Sequence, residues 1–179
     1  MKRAAVIVSA LLMLVCTPGC ETGLVHNKSY LRAAVISCGD EVSLTLAFFQ
    51  EDSGTVTAHG KDIASAIDAA ELCTGRKIFT GFTELVIVSG SSPAGTLEYV
   101  FEEWKVSPSC LVAAGSNASG LLTADSAERL HGSVEEASGQ GIVPDCDIVT
   151  VLGSLLNKGS AEVAELGENG VTGSIIING

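Results

Sequence analysis

Side chains able to do covalent or acid–base chemistry are few and scattered along these 179 residues. Six are cysteines, Cys16, Cys20, Cys38, Cys73, Cys110 and Cys146, and three are histidines, His26, His59 and His131. There is no CxxC pair and no His-paired cluster, so the chain lacks a zinc ligand set and no metal is expected. A Cys–His nucleophile needs the two side chains adjacent in space, and no spacing here demands it. His131 falls beside Leu130 on an amphipathic pattern, as a surface or boundary residue; His59 precedes Gly60 in a turn; His26 lies close to the amino terminus. The acid pairs Glu102-Glu103 and Glu135-Glu136 fall on solvated helix faces. Gly115 to Gly120, "GSNASG", has the outer glycines of a phosphate loop, but Leu121-Leu122 stand where Lys and Ser/Thr are required. A turn into a helix accounts for it. With nothing converging, the chain is expected not to be an enzyme and to need no cofactor. One stretch still gathers polar residues against a hydrophobic run: residues 70–90, "AELCTGRKIFTGFTELVIVSG", place Arg76, Lys77, Gly81 and Glu84 just before Leu85-Val86-Ile87-Val88. It is either a site or the punctuation of a helix-to-strand connection.

The amino terminus bears on that choice. "MKRAAVIVSALLMLVCTPGC" has a basic start at Lys2 and Arg3, an apolar run from Ala4 to Val15 and a small residue before Cys20, the pattern of a secretory signal. The apolar run is shorter than the roughly 18 to 20 residues that span a bilayer. Thr17-Pro18-Gly19-Cys20 resembles a bacterial lipobox, which implies cleavage before Cys20 and a diacylglyceryl group on its thiol. Each buried methylene is worth about 0.8 kcal/mol, so two acyl chains anchor stably. Residues 1–19 are then a signal peptide, 20–29 a lipidated tether and 30–179 one domain at the extracytoplasmic face of a membrane. Without Lys2 and Arg3, eight basic residues face 21 acidic ones, a formal charge of −13. Such a surface repels phosphate backbones, which excludes nucleic acid and argues against an electrostatic hold on anionic lipid. Four cysteines outside the cytoplasm allow three disulfide pairings. Their apolar flanks favour buried thiols, with Cys73 on the buried stripe of a helix.

The elements that position these residues are read from periodicity. Tyr30–Cys38 and Glu41–Gln50 are expected as a hairpin, with Val42, Leu44, Leu46 and Phe48 alternating, followed by a short strand at Thr55–Ala58. The period then turns helical: Ile63, Ala66, Ile67, Ala70 and Cys73, with Gly75 placed as a C-terminal cap. A strand follows near Glu84–Ser89. Next comes a helix capped by Ser92 with Pro93 in its first turn, carrying Leu97, Val100, Phe101 and Trp104 and stopped by Pro108. A strand at Cys110–Ala114 leads to two helical patterns, Ala127-Leu130-Val134 and Ile148-Val151-Leu152-Leu155. Two strands joined at Asn169-Gly170 close the chain. The fold class is therefore α/β in the α+β sense: a mixed sheet with flanking helices in a single domain.

From about Gly60 onward this order resembles the N-terminal domain of the Ger(x)C spore germination lipoproteins. Gly60-Lys61, Ala66-Ile67, Gly75-Arg76-Lys77-Ile78-Phe79, Gly81 and Leu85-Val86-Ile87-Val88 match the family pattern, with Phe82 where a His is usual. The Cys20 lipobox and Ile142-Val143-Pro144 agree with the same order. The family's Trp-Asp after the lipidated cysteine is replaced by Glu21-Thr22, and its members continue through two further domains beyond the point reached by "VTGSIIING". The resemblance implies a C-subunit-like component of a nutrient germinant receptor, held at the inner spore membrane by its lipid and acting with integral membrane A and B subunits. Arg76, Lys77, Gly81 and Glu84 then become an interaction loop. Two other classes stay open on the residues alone: a general envelope lipoprotein serving as a binding or scaffolding module, and a hydrolase using Cys73 or Cys110.

Overall fold

A computed structural model describes residues 28–49, 54–115 and 118–179. The expected signal peptide, the lipidation expected at Cys20, His26, the turn at Asp52-Ser53 and the core of the 115–120 loop lie outside the described residues. The strands are β1 (Lys28–Cys38), β2 (Val42–Phe48), β3 (Thr55–Gly60), β4 (Lys77–Phe79), β5 (Leu85–Gly90), β6 (Leu111–Ala114), β7 (Ser160–Gly167) and β8 (Gly170–Asn178). The helices are α1 (Ile63–Thr74), α2 (Pro93–Glu102), α3 (Ala118–Leu121), α4 (Ala124–Gly139) and α5 (Ile148–Lys158). The strands form one mixed sheet in the order β3-β2-β1-β5-β6-β7-β8, with β4 paired to β1. Neighbours from β1 through β5 and β6 to β7 run parallel, and the hairpin partners at either side run antiparallel. The single mixed-sheet domain expected from periodicity is the architecture found.

The burial pattern explains the layering. In β5, Leu85, Val86, Ile87 and Val88 are consecutive and all buried, which alternating side chains permit only when both sheet faces are covered. On one face α2 packs against β5 and against α5, which covers β6 and β7. Helix α4 reaches across β2, β6 and β8 through the buried Ala127, Leu130 and Val134. The connection from α4 to α5 passes along the end of β6, where Val112 N–H donates to the Cys146 carbonyl and Ile148 N–H to the Cys110 carbonyl. That passage seats Cys110 and Cys146 inside the core.

Helix boundaries have local causes. Asp62 and Ser65 form a reciprocal capping box on α1, and Thr123 and Ser126 form another on α4. The hydrogen bond from Ser65, then the backbone bond, holds the Asp62 carboxyl below its ordinary range. Gly75 caps α1 in the left-handed conformation. Five expectations need correction. Helix α2 begins at Pro93, but Ser92 makes no side-chain cap bond. The helix ends at Glu102, short of Pro108, with Lys105 turning the chain at φ 56°. His59 is an exposed residue of β3, not of a turn. Phe48 and Leu46 are buried together with Thr45 and Ala47, because β2 is covered on both faces and does not alternate. Cys73 is exposed: α1 lies on β2 and β3 through Ile63, Ala66 and Ala70, and its final turn reaches only the three-residue β4, leaving Leu72 and Cys73 in solvent.

Candidate functional site

The stretch at residues 70–90 is built from α1, β4 and β5. Strand β4 was not foreseen from the sequence; its three residues pair parallel with the beginning of β1, in the register Lys28↔Lys77, Ser29↔Ile78 and Tyr30↔Phe79. Ser29 and Ile78 face inward, while Lys28, Tyr30, Lys77 and Phe79 share the outward face. The Glu71 carboxylate fixes β4 to the helix before it, accepting from Lys77 Nζ and, at 3.0 Å, from the backbone N–H of Ile78. The hydrogen bond with Glu71 and then its charge raise the Lys77 pKa. Lys77 thus serves a side-chain clasp between α1 and β4.

After β4 the chain turns through Thr80 to Glu84. Thr83 is buried and donates through Oγ1 to the Thr80 carbonyl at 2.6 Å. Gly81 lies against the Phe79 ring, where an added Cβ would stand 3.1 Å from it. The turn throws Phe82 outward, and Tyr30, Phe79 and Phe82 form a three-ring cluster with centroid separations of 5.7, 5.8 and 5.0 Å. Such tilted and offset contacts are worth about 0.5–1.5 kcal/mol per pair beyond burial. Phe82 nonetheless remains 59 % exposed.

Glu84 is partly buried in an ion-pair network. Its Oε2 accepts from Arg32 Nε at 3.0 Å, and Arg32 Nη1 donates to Glu128 of α4 at 2.9 Å. Arg32 also lies over Phe49, its Cζ 5.1 Å from the ring centroid. Burial lowers the Arg32 pKa, but hydrogen bonds to Glu128 and Glu84 outweigh it and hold the guanidinium above its ordinary value. Arg32 occupies the register irregularity between Leu31 and Ala33 in the β1–β2 ladder, a bulge of the kind that re-aims a side chain. The pairs lie 52 and 96 residues apart, beyond any local sequence pattern.

Beside this network runs a groove of about 760 Å³ whose walls include Phe49, Phe82, Glu84, His131, Glu135 and Asp147. It lies at the amino-terminal ends of the parallel strands β5 and β6. Arg76 and Lys77 do not reach it; they line a separate hollow with Leu72 and Glu71. The four residues expected as one loop therefore divide between two surfaces, Gly81 and Glu84 on the groove and Arg76 and Lys77 beside the end of α1. Cys110 borders the groove but is buried, and burial pushes its thiol pKa up to about 12. A thiol of that kind holds its proton near neutrality and is a poor nucleophile. Burial likewise raises the Cys146 thiol. Cys38, Cys73, Cys110 and Cys146 are all free thiols, but only Cys110 and Cys146 are buried as their apolar flanks had suggested for all four. Among the described residues no group of three or more His, Cys, Asp or Glu side chains is placed to hold a metal ion. No protein-family model, curated protein or solved structure matches the chain.

Proposed function

We propose that the protein is a lipid-anchored spore germination component, resembling the C subunit of a nutrient germinant receptor and acting by protein contact at the outer face of a membrane. The observation that carries this reading is the physical demand behind the pattern from Gly60 to Val88. Gly60 packs on the start of α1, where a Cβ would come within 2.5 Å of Ala66 N. Gly75 ends the helix, Lys77 clasps Glu71 through β4, and Gly81 admits the turn that presents Phe82. Residues spread over three elements hold one unit that ends in an exposed aromatic cluster and a groove. Cys20 supplies the membrane attachment, and the groove with Phe82, Glu84 and His131 is the surface offered to integral membrane A- and B-type subunits.

The general envelope lipoprotein remains the second reading, favoured by Glu21-Thr22 after Cys20 and by Phe82 at the family's usual His position. Deleting the gene separates the two. Loss or slowing of germination with at least one nutrient trigger is expected; unchanged germination with every trigger removes the germination reading and leaves the second.

A further inference from the structure

The tethered end of the domain carries a surface of unusual composition for this chain. The outward face of β1–β4 presents Lys28, Tyr30, Lys77 and Phe79 side by side, with Phe82 stacked on Tyr30 and Arg76 one residue before β4. Phe79 and Phe82 are 37 % and 59 % exposed, and Leu72, on the neighbouring hollow, is 85 % exposed. Single exposed apolar residues are ordinary, but clustered aromatics flanked by cations mark a contact surface. Of the eight Lys and Arg after residue 19, Lys28, Arg32, Arg76 and Lys77 gather at this end, against 21 acids in the chain. Arg32 is satisfied by Glu84 and Glu128, and Lys77 by Glu71. Lys28 and Arg76 have no ion-pair partner among the described residues.

The position of this face names its occupant. Lys28 lies eight residues after Cys20. Eight residues span at most about 29 Å however extended, against a diameter of roughly 40 Å for a domain of this length. An anchor at Cys20 therefore keeps the Lys28 end within one molecular diameter of the bilayer. Aromatic rings and lysines suit the boundary between headgroups and acyl chains, where a ring sits below the phosphates and an ammonium among them. Lipid-attached chains also gain from a second, weaker contact with anionic lipid.

Resting on the lipid-anchor reading, we propose that the face formed by Lys28, Tyr30, Arg76, Lys77, Phe79 and Phe82 seats on the headgroup layer of an anionic bilayer. The domain is thereby oriented with its groove at the membrane surface. The overall charge of −13 hides this patch; Glu71 and Asp68 border it beside Arg76 and Lys77, and Glu84, Glu135 and Asp147 line the groove beyond Phe82. Anchoring then sets which way the groove faces as well as where the domain is.

The test uses the full-length protein purified with its lipid and reconstituted in phosphatidylethanolamine–phosphatidylglycerol vesicles, carrying Phe82→Trp. The parent protein, whose Trp104 is buried, supplies the background. Lipids brominated near the headgroup are expected to quench about half or more of the added emission, because interfacial side chains reach roughly 5–10 Å into the bilayer. Deep-brominated lipids should quench it little. Adding Lys28→Glu and Arg76→Glu should cut the shallow quenching several-fold. The mass of the amino-terminal peptide from the same preparation reports the lipid on Cys20 independently. Lipidated protein whose indole is untouched by bromolipid but quenched by aqueous iodide overturns the seating while leaving the anchor. An indole shielded from both in native membranes assigns the face to a protein partner and also overturns the seating. Absence of lipid on Cys20 removes the anchor and this inference together.

Discussion

The two ends of the parallel strands are built by different means. At the carboxyl end, β1 and β5 close on each other through backbone. Gly90 sits at φ +87° with the Cys38 carbonyl so near that a Cβ there would overlap it, and Ser91 N–H donates to the same carbonyl at 2.9 Å. The loop that follows carries Ser92 at φ 61° and enters α2 without a side-chain cap. At the amino end the same strands are joined by side chains: the Arg32 network, the Glu71 clasp and the aromatic cluster. The first end leaves no room for a side chain at position 90, and Ser91 Oγ and Thr96 Oγ1 bond to Cys38 around it. The second holds an exposed aromatic and charged surface in place. On the proposed function recognition belongs to the amino end, and substitutions at each end should fail in different ways.

The largest effect is expected from Gly90→Ala, which adds a steric overlap to a left-handed backbone. Destabilisation of about 3 kcal/mol or more is expected, read as loss of the cooperative denaturant transition in the purified protein. Leu130→Ala, in the buried seam between α4 and the sheet, should cost about 2–5 kcal/mol by creating a cavity, measured as a lower denaturation midpoint. At the other end, Arg32→Ala removes partners from Glu84 and Glu128. Since both carboxylates are partly or largely exposed, the loss should be about 1 kcal/mol and should shrink further in high salt. Phe82→Ser gives up two ring contacts on a residue 59 % exposed and should cost about 1 kcal/mol, while impairing germination out of proportion to that loss.

The thiols sharpen the same contrast between buried and open. In the folded protein a maleimide should label Cys73 within minutes and leave Cys110 and Cys146 unlabelled until denaturant is added. The pH dependence has a definite sign. Because burial lifts the Cys110 pKa from 9 to about 12, the unfolded chain loses that proton first. Stability contributed by the neutral thiol is therefore complete below pH 9 and is lost as pH rises toward 12, visible as a falling denaturation midpoint in alkali.

Much of the scaffold was legible in the sequence because its signals are local. Gly75 as a helix cap, Pro93 in the first turn of α2, the Ile148-Val151-Leu155 stripe and the Asn169-Gly170 hairpin each act within a few residues. What was not legible depends on partners distant in the chain. Nothing near Glu84 announces Arg32, 52 residues away, or that a bulge turns Arg32 toward it. Ile78 and Phe79 look like the prelude to β5, and only the start of β1 turns them into a strand. Cys73 continues an apolar period but lies past the point where the sheet stops supporting the helix. The candidate site suffers most from this, since its walls come from the end of β2, the turn before β5, the segment leading into β6, α4 and the cap of α5.

The most direct measurement is germination of spores lacking the gene and complemented with either the wild-type chain or Cys20→Ala, with membrane fractionation of the product in each strain. Wild-type protein in the membrane fraction should restore the nutrient response, and Cys20→Ala protein should be found in the soluble fraction and restore little. Full restoration by soluble Cys20→Ala protein, or membrane association unchanged by the substitution, would contradict a function exerted by a lipid-anchored domain.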